Sequence, residues 1–263
     1  MLGKLLKHDL KWVYKVIVIF YVLSFIFSIL GRLLSQIENS LIFDVVSKIV
    51  IGIAISLAVS ALINCMMRLW ARFILNVYKD ESYLTHTLPI KKSTIFNSKV
   101  LACIITIFTT MIVAIVCLFI CYYSKENMQV LKQLLEIAAS TYDTTVLRFL
   151  AVVLFVIFLE AVYIILIGYV GIIFGHKSNQ KKMLKSIIIA FVIYMAMQTL
   201  TLAGIGIYGL FNQEVMNIIN TTNIVNMDAI KSVMYLGIVI YCAYIVVLYA
   251  IGKKQLQKGV NVE

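Results

Sequence analysis

The sequence predicts an all-α polytopic membrane protein. It has six transmembrane helices, an N-terminal interfacial amphipathic helix and a short cytoplasmic helix between spans two and three. Two observations carry most of this. Six apolar runs, at about 12–34, 49–67, 100–123, 147–174, 187–211 and 233–251, are each long enough to cross ~30 Å of hydrocarbon, which takes about 20 helical residues. They are apolar on all faces rather than along one stripe, so the solvent they anticipate is lipid. The second observation is where the basic residues fall. With the N-terminus placed inside, 17 of the 23 lysines and arginines lie on inner segments and 6 on outer ones. The positive-inside rule then puts both termini in the cytoplasm. The net charge of +11 is therefore a topology signal with attraction to an anionic inner leaflet, and no aromatic-basic platform suggests nucleic acid as a partner.

The elements follow in order. Residues 1–15 place Leu2, Leu5, Leu6, Leu10 and Val13 on one helical face and Lys4, Lys7, Lys11 and Lys15 on the other. That is the pattern of an elbow helix in the inner interface, with Trp12 and Tyr14 at headgroup depth, or of a simple lysine-flanked anchor. The first apolar run is about 23 residues, too long for a signal-peptide core, and no A-x-A-like site follows it, so it reads as a retained span. Residues 68–99 form the long cytoplasmic loop and carry the only proline, Pro89. Asp80, Glu81 and Ser82 can start a helix, and Pro89 disfavours helix at Leu88. A short helix of about 80–87 is expected between these breaks, displaying Tyr83, Leu84 and Leu88 beside two carboxylates. Apolar residues on such a loop invite a protein partner or lie on the membrane surface.

Outside, residues 124–146 carry Val130, Leu131, Leu134, Leu135 and Ala138 at helical spacing, a short amphipathic helix. Residues 212–232, rich in Asn, Thr and Ile, read as a re-entrant or surface helical pair or an irregular loop. The longest gaps between spans are about 30 residues, too short for a soluble domain, so 1–263 reads as a single transmembrane domain. No matched Gly/Pro-broken spans mark an inverted repeat.

Few residues carry chemistry. There is no G-x-x-x-x-G-K-[ST] and no H-E-x-x-H, so no nucleotide site, cofactor site or catalytic residue is expected in this chain. Cys65, Cys103, Cys117, Cys121 and Cys242 all fall within spans, far in sequence from the three histidines, and read as packing residues with no metal site. Glu160 is the one acid near the middle of a span, where a carboxylate costs several kcal/mol unless paired, protonated or wet. Asn64 and Gln198 offer polar partners from other spans. Two readings stand: a substrate pathway group, or an interhelical hydrogen bond that fixes packing. Gly171 and Gly175 make a small-xxx-small pair for close helix approach within the subunit or at a dimer face.

The stretch KDESYLTHTLPIKKSTIFNSKVL, residues 79–101, resembles the join between spans two and three of bacterial type-2 ABC transporter permeases (type V). The matching residues are Asp80, Glu81, Tyr83, Leu84, Thr87, Leu88, Pro89, Ser98 and Lys99. That group includes lantibiotic-immunity and peptide-toxin exporters, the phenol-soluble modulin exporter among them. The resemblance implies a multi-pass permease of the bacterial plasma membrane that exports hydrophobic or amphipathic peptides or toxic compounds. It implies a second permease subunit, as a homodimer or heterodimer. It also implies separate ABC ATPase subunits that bind ATP and Mg and hydrolyse the nucleotide, so this chain is not itself the enzyme. The short helix would then be a coupling helix, with Asp80, Glu81, Tyr83, Leu84, Leu88 and Pro89 at the ATPase contact. Rival readings are a stand-alone secondary transporter using Glu160 as its ion or proton site, and a non-transporting scaffold or sensor subunit.

Overall fold

The computed structural model describes residues 1–37, 41–79, 81–87, 89–178, 180–213, 215–216 and 227–259. Among them every regular element is helical: α1 Leu2–Ser35, α2 Leu41–Val77, α3 Ser82–Thr87, α4 Lys92–Tyr122, α5 Lys125–Thr141, α6 Val146–Gly175, α7 Lys182–Phe211 and α8 Met227–Gln257. Six of these, all but α3 and α5, are long and apolar enough to cross a membrane, the make-up of a multi-pass membrane protein. Their surfaces fit lipid rather than water. Ile187, Phe191, Leu200 and Leu202 on α7 are all at least 60% exposed, an arrangement that costs free energy in water but not in hydrocarbon.

Contacts gather the chain into two compact units, Met1–Lys132 and Gln133–Asn261. In the first, α1, α2 and α4 pack against one another and α3 packs on α2. Small residues bring α1 and α2 close. Ser24 donates to the Ala54 carbonyl at 3.1 Å, and Gly31 lies against Ile51. Hydroxyl pairs join α1 to α4: Tyr14 shares a hydrogen bond with Thr109, and Tyr21 with Thr110. Val13, Ile17, Leu69, Phe73, Phe96 and Ile107 fill the space between. Cys65, Cys103, Cys117 and Cys121 are buried free thiols, as small packing residues are.

α1 is one unbroken helix from Leu2 to Ser35. Residues 1–15 therefore run straight into the span, with Lys4, Lys7, Lys11 and Lys15 exposed along one side. No break in the helix separates them from the span. Two breaks isolate α3. α2 ends at Val77 and the chain turns back, the Lys79 N–H donating to Ile74 and the Glu81 N–H to Leu75. At the other end α3 stops at Thr87, two residues before Pro89, and α4 begins after an extended Lys91.

In the second unit α6 packs against both α7 and α8. Ile165, Leu166, Tyr169 and Val170 of α6 are buried. Gly171 and Gly175 face Ser186 and Ala190 of α7, so the small-xxx-small pair serves packing within the subunit. α7 starts after Lys181, which takes a left-handed conformation (φ 51°). The amphipathic helix expected within 124–146 is α5; its Val130, Leu131 and Leu134 are exposed. Most of the 212–232 segment lies outside the described residues.

Side-chain reactivity tests the topology. In a cysteine-free background, a cysteine at Asn127, exposed on α5, is expected to react with an impermeant maleimide added to intact cells. One at Ser93, in the first turn of α4, is expected to react only after permeabilisation. Outside labelling at Ser93 would reverse the lysine-based orientation.

Candidate functional site

Among the described residues, a dense polar cluster lies where α1, α2 and α4 meet, beside α3. It starts with Asp9, which sits on the apolar side of α1 in line with Val13 and is only 3% exposed. One oxygen, Oδ1, accepts from Arg72 Nε of α2 at 3.0 Å and from Lys99 Nζ of α4 at 2.6 Å. The other, Oδ2, accepts from Ser98 Oγ at 2.8 Å. Arg72 and Lys99 are each 2% exposed. Arg72 spends its remaining donors outward. Nη1 reaches both Glu81 oxygens, at 2.8 and 2.7 Å, and Nη2 meets His8 Nδ1 at 2.8 Å. A guanidinium only donates, so His8 accepts through Nδ1 and carries its ring proton on Nε2 in this arrangement.

The same set anchors α3. Asn76 donates to Glu81 Oε2 at 3.2 Å and to Thr85 Oγ1 at 3.0 Å, and Thr85 Oγ1 donates to the Glu81 carbonyl at 2.9 Å. Arg68, one turn before Arg72 on α2, donates to the Trp12 carbonyl at 2.9 Å and lies 4.0 Å from the Trp12 ring centroid. Two cations thus meet two carboxylates, which is how a buried ion cluster avoids the full desolvation cost. Burial raises the Glu81 carboxyl, but the Arg72 hydrogen bonds and charge, helped by the Asn76 hydrogen bond, outweigh it and hold Glu81 below its usual value. Glu81 therefore stabilises this arrangement at neutral pH, and that contribution is lost as pH falls through its depressed value.

The cluster decides which way α3 faces. Ser82 and Thr85 turn inward, at 3% and 5% exposure, while Tyr83 and Leu84 stand out at 76% and 67%. Pro89 is exposed. Asp80 and Leu88 lie outside the described residues. Glu81, expected from sequence at a partner contact, is engaged by Arg72 and Asn76 of its own chain, with its side chain still 38% exposed.

His8, Asp9, Arg72, Asn76 and Thr85 were not singled out from sequence. A signal existed for Asp9, the one acid of the N-terminal helix, because it interrupts the stripe running from Leu5 to Val13.

The span residues divide between the units. Asn64, in the first, is half-buried and donates to the Ser60 carbonyl of its own helix at 2.8 Å. Glu160 and Gln198 both approach Tyr241 in the second. Gln198 of α7 hydrogen-bonds Tyr241 of α8, and the Glu160 carboxylate lies within electrostatic reach of Tyr163 and Tyr241. The Tyr163 ring sits edge-on to Tyr241 at 5.3 Å and stacks with Tyr244 at 5.9 Å. Tyr244 in turn donates to the Met197 carbonyl at 3.0 Å. Glu160 itself is exposed, not enclosed between helices.

No family model, curated protein or solved structure matches the chain.

Proposed function

We propose that this chain is the permease subunit of an ATP-driven ABC exporter that moves hydrophobic or amphipathic peptides or toxic compounds. One observation carries most of the weight. A six-residue helix between spans two and three is held by a buried ion cluster while two large apolar side chains stand bare on its other face. A helix with no partner does not need that much anchoring. A helix that transmits force does, because its movement must reach the spans rather than dissipate in a loop. The segment around it also resembles the coupling region of type-2 permeases.

In this reading a separate ATPase binds ATP and receives α3 in a groove. Tyr83 and Leu84 fill the groove as large anchors do in interface hot spots. Closure of the ATPase pair pushes on α3, and Glu81 and Arg72 pass the displacement to Asp9 on α1 and Lys99 on α4. A second permease subunit completes the pathway.

The test is the double variant Tyr83→Ala with Leu84→Ala. Both side chains are exposed, so the membrane core should fold as before. The variant is expected to lose co-purification with an ABC-type ATPase, or to keep the ATPase but uncouple hydrolysis from transport. Truncating two hot-spot anchors costs roughly 2 kcal/mol or more each. Charge reversal at Asp80 should weaken assembly most at low salt, where screening is least; the same change at Glu81 would also break the Arg72 contacts. If the double alanine variant binds an ATPase and transports as well as the parent, α3 is not the coupling element.

The exposure of Glu160 keeps a second reading in view, a secondary transporter with Glu160 as its ion site. Gradient-driven transport by the purified chain alone would favour it.

A further inference from the structure

Glu160 lies halfway along α6, the span of highest hydropathy, yet its carboxylate is on an exposed face and makes no hydrogen bond or ion pair among the described residues. An ionised carboxylate facing hydrocarbon alone is costly, so a group of this kind needs a counterpart. The chain offers no cation at this depth in its second unit. α6 has no lysine or arginine after Arg148, α7 none after Lys185, and α8 none between Lys231 and Lys253. A second copy meeting this face across a twofold axis would bring carboxylate to carboxylate.

What surrounds Glu160 is aromatic. Tyr163, one turn along α6, is itself buried, but its ring packs edge-on against Tyr241 at 5.3 Å and so brings Tyr241 beside this face. Tyr241 lies within reach of the Glu160 charge, Tyr194 is near it, and Gln198 hydrogen-bonds it. The faces of such rings carry negative potential and attract cations, most strongly where water is absent. One turn away on the same helices, Ile157 and Phe191 are bare at 49% and 62%, an apolar bed beside the charge.

We propose that Glu160, with Tyr194, Tyr241 and Gln198, forms a membrane-depth site for a lipophilic organic monocation. The carboxylate supplies the countercharge, the tyrosine rings supply quadrupole attraction, and the apolar flanks take the body of the molecule. The inference deepens the permease reading by giving the cargo a cationic head, and it rests on that reading only for the role of cargo. Binding to the isolated chain needs no ATPase, so a failure here leaves the α3 experiment untouched.

The test is equilibrium binding of radiolabelled tetraphenylphosphonium to the purified full-length chain in lipid nanodiscs, with empty nanodiscs subtracted. Saturable binding at one site per chain is expected. Glu160→Gln should weaken it at least about tenfold, as loss of a charge partner in a desolvated site does. Tyr241→Leu, which removes a ring face, should also weaken binding, while Tyr241→Phe should leave it within a few-fold of the parent. Elution volume and helix content show whether each variant is folded. If Glu160→Gln does not fold, Glu160→Asp and the two Tyr241 variants decide the matter. Parent binding no greater than to empty nanodiscs overturns the proposal. Folded Glu160→Gln or Tyr241→Leu protein that binds as tightly as the parent also overturns it.

Discussion

Asp9→Ala is expected to be the most damaging single change in the first unit, lowering its stability by roughly 3–5 kcal/mol. The substitution leaves Arg72 and Lys99 buried together, each 2% exposed, with the carboxylate between them gone. Like charges then face one another in a site that water reaches poorly, and Ser98 loses its acceptor. A shift in thermal midpoint, followed by size-exclusion chromatography in detergent, measures the loss. A second variant separates charge from packing. Asp9→Leu combined with Arg72→Met and Lys99→Met removes the whole buried ion set, and replacement by apolar residues of similar volume is often neutral. That triple variant should recover most of the stability, and α3 should lose its anchor because Glu81 no longer has Arg72. An Asp9→Ala protein as stable as the parent would mean the cluster is hydrated rather than buried.

Gly175→Ala should be the comparable lesion in the second unit. A Cβ at Gly175 would come within 2.5 Å of both the Cα and the backbone nitrogen of Ser186 on α7. Flexible side chains can swing out of the way; a helix backbone cannot, so α6 and α7 must separate. Overpacking of this kind costs about 1–3 kcal/mol and sometimes more. Ser186→Gly should not rescue it, because the clash with backbone remains. Gly206→Ala is the control: nothing lies within 4 Å of the added methyl, so it should be tolerated. Resistance to unfolding in graded detergent mixtures would rank the three. Equal resistance of the Gly175 and Gly206 variants would show that α6 and α7 are not packed this closely.

The spans were legible because lipid-facing helices hide nothing. A run such as 147–174 is apolar on every side, and the helix found there, Val146–Gly175, differs from it by one residue at each end. α3 was legible because Pro89 and the Asp80–Glu81–Ser82 start bracket it. The ion cluster was much harder to see. Asp9 meets Arg72 across 63 positions and Lys99 across 90, and no local pattern links them. Both cations also had a sufficient explanation already, as part of the inner-side basic excess. Trp12 and Tyr14 show the same ambiguity. Each suits headgroup depth by composition, yet one ring lies under Arg68 and the other hydroxyl meets Thr109. The lysine pattern of 1–15 fits a helix lying in the interface as well as one projecting through it, so continuity of α1 could not be read. For Glu160 the sequence gives depth but not face, because α6 has no polar side from which a direction could be taken.

The continuity of α1 and α2 has a mechanical consequence. At 1.5 Å per residue, helices of 34 and 37 residues are about 51 and 56 Å long, against ~30 Å of hydrocarbon. Their lengths therefore exceed that thickness by about 21 and 26 Å. The α3 anchor grips these rods near the ends that meet at α3, at residues 9 and 72. With no proline and no break along either shaft, a sideways load at that grip cannot be absorbed by a hinge. A tilt of about 5° of a ~50 Å rod carries one end about 4 Å relative to the other, close to the width of a methylene chain.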